Sequence, residues 1–155
     1  NEELLVEEEF FNLLNAHGII WGFVSGAESA SAKYVLEKRL KLKSPPLIAM
    51  EDAPDKPNPE GFIYLAKKLS NNKLGSSNLP IAYIGDTIAD VQTVLNARKK
   101  IPSQKFISIG VAPPHLHLEG RKKERNLYES KLKEKGADLI LNSVNDLINI
   151  NLEFL

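Results

Sequence analysis

The run Ile81-Ala82-Tyr83-Ile84-Gly85-Asp86, followed by Asp90, restricts the fold more than any other part of the chain. Four mostly apolar residues in a row read as a buried strand. Gly85 ends the run. From Asp90 onward Val91, Val94, Leu95 and Arg98 fall three and four apart, the spacing of a helix. A short apolar strand feeding a helix is the unit of a parallel α/β sheet. Ligands of such sheets bind beyond the carboxyl ends of the strands, where Asp86 falls. Two carboxylates at that edge repel each other unless a proton or a cation relieves them. Mg²⁺, a hard cation that takes oxygen ligands, is the simplest resident. The plainer alternative makes Asp86 a turn residue and Asp90 a favourable charge in a helix's first turn.

The same alternation recurs along the chain. Leu4, Leu5, Phe11 and Leu14 form a stripe that predicts a helix over Asn1 to His17, with an acidic start and Gly18 placed just after its end. Ile19 to Val24 reads as the first strand. Ser25, Gly26 and Ala27 follow, then a helix from about Ser29 to Leu40. A serine and glycine at a strand mouth can offer a hydroxyl and backbone N–H groups to an anion, or form a plain turn. Leu47 to Met50 reads as a second strand. After it, Pro57 holds Lys56 extended, Asn58 suits a helix N-cap and Pro59 the first helical position. That places an ammonium on a stiff lead-in at another strand's carboxyl side; the alternative is a solvated lysine beside Asp55. Phe106 to Val111 predicts a further strand, and the loop after it carries His115 and His117. With no third ligand nearby in sequence, these read as loop histidines before metal ligands. Arg121 to Lys135 predicts a helix with a basic, solvated face, and Ala137 to Leu141 a last strand.

Composition sets the outer limits. The chain has 155 residues, 43% hydrophobic and 26% charged, which suits one domain with a core. Twenty basic residues balance twenty acidic ones, which weakens the case for nucleic acid or an anionic membrane as the main partner. There is no cysteine, hence no disulfide and no thiol nucleophile. No apolar run approaches the length of a membrane span. A cytoplasmic setting is the expectation.

Serine, lysine and acid pair each follow a different strand, in that order. In a parallel sheet those strand ends share one edge, and the groups would together make a phosphate site. Here the sequence resembles the haloacid dehalogenase superfamily of Mg²⁺-dependent phosphohydrolases, in its phosphoglycolate-phosphatase-like branch. Ser25 in WGFVSGA matches the second motif of that family, Lys56 in DKPNPEGF the third, and Gly85, Asp86 and Asp90 in IGDTIAD the fourth. The resemblance covers about residues 17 to 148. It implies a three-layer Rossmann-like core with a parallel sheet. Ser25, Gly26 and Ala27 would bind phosphoryl oxygens, Lys56 would bind phosphate and serve catalysis, and Asp86 and Asp90 would serve Mg²⁺, with Asp90 supporting the metal or orienting Lys56. The substrate would be a small phosphorylated metabolite.

The family's first motif, Asp-x-Asp, is absent, for no Asp precedes Asp52. The resemblance assigns the nucleophile and the acid–base to that motif and places its strand in the middle of the sheet. The cap domain that usually follows is missing too. Residues 1–155 are therefore expected to be the C-terminal part of a core domain, completed by an N-terminal segment of the same protein and unstable without it. Two other readings stand beside the phosphatase: a non-catalytic phosphate-binding or regulatory module, and a metal-independent dehalogenase. A phosphoacceptor receiver domain uses similar groups in the reverse order.

Overall fold

The computed structural model describes residues 8–16, 18–24, 47–48 and 53–149. Helix α1 (Glu8–Ala16) leads to β1 (Phe23–Val24), which pairs in parallel with β2 (Leu47–Ile48). Helix α2 (Glu60–Leu69) precedes β3 (Ile81–Gly85), and α3 (Ile88–Lys100) precedes β4 (Phe106–Val111). A 3₁₀ turn (Pro114–His117), α4 (Lys122–Glu134), β5 (Leu139–Leu141) and a second 3₁₀ segment (Val144–Asn149) complete the described chain. Among the described residues all strand pairs are parallel, in two sheets ordered β1-β2 and β3-β4-β5. The fold is the expected α/β, Rossmann-like arrangement.

Alternation along β4 builds three layers. Phe106 faces one side, against Phe62, Ile63 and Ala66 of α2 and Val94 and Ala97 of α3. Ile107 and Ile109 face the other, with Leu141 and Leu147. Leu147 also packs on Phe10, Phe11 and Leu14 of α1, so α1 and the last 3₁₀ segment cover that second face. On the first face α4 sits close because residue 110 is glycine: a Cβ there would lie 2.9 Å from Ile140 and 3.1 Å from Leu132.

The two sheets obey one layering. Phe23 of β1 packs on the α1 side and Val24 on the α2 side; Ala82 and Ile84 of β3 face as Phe23 does, while Ile81 and Tyr83 face as Val24 does. Yet β1 pairs only with β2 and β3 only with β4 among the described residues. Every residue of β4 is buried, whereas every residue of β3, expected to be buried, is only half-buried. A strand flanked on one side keeps part of its backbone and side chains open.

Local chemistry explains the element ends. Gly18, at φ +70°, closes α1: its N–H donates to Asn15 O at 3.0 Å and Ile19 N–H to Leu14 O at 2.9 Å, the paired bonds of a Schellman ending. The first strand is shorter than expected, since only Phe23 and Val24 pair. Residues Asp55–Asn58 close a turn, with the Lys56–Pro57 peptide cis and Asn58 N–H donating to Asp55 O at 3.0 Å. Helix α2 begins one residue later than expected: Pro59, not Asn58, holds the N-cap position and gives no side-chain cap, while Asn58 Oδ1, one residue earlier, accepts from Glu60 N–H at 3.0 Å. The last strand starts at Leu139 because Asp138 meets β4 partly through its side chain, which accepts the Ser108 amide at 2.8 Å. The lysines of α4 are exposed along its length, as a solvated basic face requires.

Candidate functional site

Asp90 organises the rim above β3. It is 5% exposed, and its carboxylate accepts five hydrogen bonds. Oδ1 takes the Lys56 ammonium at 2.6 Å and the Tyr83 hydroxyl at 3.0 Å. Oδ2 takes the backbone N–H groups of Asp86 and Thr87, each at 3.1 Å, and the Thr87 hydroxyl at 2.8 Å. The Thr87 hydroxyl in turn accepts from Asp90 N–H at 3.1 Å, so the pair forms a capping box that starts α3. Burial alone would push the Asp90 carboxyl up; Lys56, Thr87 and Tyr83 more than offset that and hold it below the ordinary carboxylate range.

Gly85 makes this possible. A Cβ at 85 would lie 2.3 Å from the Asp90 Cβ, an overlap that no relaxation of a buried carboxylate absorbs cheaply. Tyr83 supplies the floor. Its ring stacks on Phe62 with centroids 5.0 Å apart, and the Lys56 Nζ stands 5.5 Å from the same ring. Burial, then the Asp90 charge and hydrogen bond, push the Tyr83 phenol up, so it remains a neutral donor.

Asp86 differs. Its amide is held by Asp90, and its carbonyl accepts the Tyr128 hydroxyl from α4. Its carboxylate receives no hydrogen bond from another described residue. Burial first, then the Asp90 charge, push its carboxyl up, and the charges of Lys56 and His115 pull the other way. A half-buried acid beside a second acid gains most from a cation. Asp86 therefore fits a hard divalent ion as one ligand. Five donors already occupy the Asp90 carboxylate, the Lys56 ammonium among them. Among the described residues no group of three or more His, Cys, Asp or Glu side chains gathers to hold a metal, so the remaining ligands would be water, substrate or groups elsewhere.

Lys56, Asp86 and Asp90, from two separate segments, thus meet at one edge. Ser25, Gly26 and Ala27 lie outside the described residues. His117 anchors its loop, Nε2–H donating to Ala112 O at 2.8 Å, while His115 is exposed with its charge felt at Asp86. Sequence reasoning missed Tyr83, Thr87 and Tyr128. Thr87 carried a signal, since Thr followed three residues later by an acid is a capping pattern; the tyrosines carried none.

A family model for haloacid dehalogenase-like hydrolases matches residues 6–98. Among solved structures, a phosphonoacetaldehyde hydrolase-like protein from Oleispira antarctica superposes with a TM-score of 0.69 at 20% identity, over 92% of this chain and 53% of its own. A haloacid dehalogenase-like hydrolase from Bacteroides fragilis gives 0.58 at 19% identity, over 90% and 56%. At such identity the likeness is one of fold. The chain spans about half the length of these two proteins. No curated protein matches it. No described helix is long and apolar enough to cross a membrane.

Proposed function

The chain belongs to the haloacid dehalogenase-like hydrolase family, and from that premise we propose that it carries part of the site of a Mg²⁺-dependent phosphomonoester hydrolase. The reaction runs through an aspartyl-phosphate, its aspartate contributed by a segment outside residues 1–155. A carboxylate nucleophile divides one slow displacement into two easier ones. Lys56 neutralises phosphoryl charge, and Asp90 fixes where that ammonium stands. Asp86 binds Mg²⁺, which when present offsets charge on the phosphoryl oxygens. Ser25 and the N–H groups of Gly26 and Ala27 orient those oxygens. The substrate is a small phosphorylated metabolite.

The observation that carries this reading is the lysine held 2.6 Å from Asp90, beside an acid whose own carboxylate is left open. The experiment is hydrolysis of para-nitrophenyl phosphate by the intact protein, with Mg²⁺ and with chelator. Turnover should vanish with chelator and fall about a hundredfold or more in Asp86→Asn; unchanged turnover in that variant rules the role out. A second reading, a phosphate-binding or regulatory module without turnover, becomes the better one if no Asp-x-Asp strand completes the site. Phosphate binding with no hydrolysis would favour it, and dehalogenation surviving chelator would favour the metal-independent alternative.

A further inference from the structure

Asp86 is gripped through its main chain rather than its side chain. On one side, Asp90 Oδ2 holds the amides of Asp86 and Thr87 at 3.1 Å each. On the other, the Tyr128 hydroxyl donates to the Asp86 carbonyl. The first grip is local, four residues along the same turn. The second reaches across 42 positions from α4. Tyr128 is itself held, packed with Leu95 and Ile140 on Val91, Leu132 and Ala137, where Leu132 is 0% exposed. The close seat of α4 over Gly110 fixes the height of that helix above the sheet.

We infer that Tyr128 is a positioning residue for Asp86: its hydroxyl fixes the peptide after the acid, and so the direction in which the open carboxylate is presented to a cation. With both flanking peptides restrained, the carboxylate keeps only its side-chain rotations. Without the Tyr128 bond, the 86–87 peptide is held only at its Thr87 N–H end, and the carboxylate samples a wider range of directions. This rests on Asp86 being a cation ligand, as proposed above.

The test is calorimetric titration of the intact protein with Mg²⁺ alone, beside thermal melts. Tyr128→Phe keeps the ring and removes one oxygen; it should weaken Mg²⁺ binding by about tenfold, the low end for groups that orient a metal ligand. In turnover, the Mg²⁺ concentration at half-maximal rate should rise while KM for the ester stays within about twofold. Leu132→Ala loosens the seat of α4 but leaves the donor; it should lower Tm and leave Mg²⁺ affinity closer to the parent than Tyr128→Phe does. If Asp86→Asn binds Mg²⁺ as the parent does, the ligand reading fails. If Asp86→Asn loses Mg²⁺ and Tyr128→Phe matches the parent, only the Tyr128 inference fails. A Tyr128→Phe protein that does not fold also overturns it, because the hydroxyl would then serve packing and not Asp86.

Discussion

Asp86 and Asp90 stand four residues apart and respond to protons in opposite senses. The Asp90 carboxyl is lowered in the fold, so its contribution is present above its ordinary value of 3.8 and is lost as pH falls through the lowered one. The Asp86 carboxyl is raised, so ionising it costs stability: the cost is absent below the ordinary 3.8 and fully present above the raised value. Metal-free Asp86→Asn should therefore melt at or above the parent's temperature near about pH 7, with the gap closing toward about pH 4. A lower Tm at neutral pH, measured by circular dichroism in chelator, would contradict this. The acids and Lys56 were legible because charged groups at strand ends have few other uses. Tyr83 and Tyr128 were not, because an aromatic in an apolar pattern reads as core whether or not its hydroxyl has work outside it. Nor could spacing show why Gly85 is glycine, since the reason is the 2.3 Å approach of Asp90.

At the scale of elements, position was easier to read than surroundings. The bounds of β4 agree with the expectation, those of α2 and α4 lie within a residue, and α3 starts two residues before Asp90, because capping residues and helical spacing are local. The accessibility of β3 is not local. Ile81 to Ile84 have the composition of a strand buried on both sides, yet they stay half-buried because β3 pairs with β4 alone among the described residues. Amide hydrogen exchange on residues 1–155 should show it: Phe106 to Val111 protected throughout, Ile81 to Gly85 protected only where they bond to β4. Equal protection of the two strands would mean that β3 has a second neighbour. Gln104 illustrates the opposite case, a buried polar residue with all its partners in place. Its Oε1 accepts from Gly75 N–H and the Asn78 amide at 3.0 Å each, and its Nε2 donates to Leu79 O at 3.1 Å and Lys105 O at 3.0 Å. That one side chain fastens the linker before β3, a role no pattern of hydrophobicity reveals.

At the scale of the molecule, β1-β2 and β3-β4-β5 share layers but, among the described residues, not hydrogen bonds. Ile20, three residues before β1, and Leu79, two before β3, are among the most exposed apolar side chains described, at 70% each. Open parallel edges with apolar flanks suit one more strand between β1 and β3, the place the family resemblance gives to Asp-x-Asp. Residues 1–155 produced alone should accordingly unfold over a broad range, with fluorescence and circular dichroism disagreeing on the midpoint. A sharp, probe-independent transition of a monomer would contradict this. The Tyr83 ring lies on Phe62 while its hydroxyl reaches Asp90. Interior and chemistry here share a residue: a change that resettles the aromatic stack also disturbs a hydrogen bond to the same Asp90 oxygen that holds the lysine, so packing beneath the rim is tied to what the rim presents.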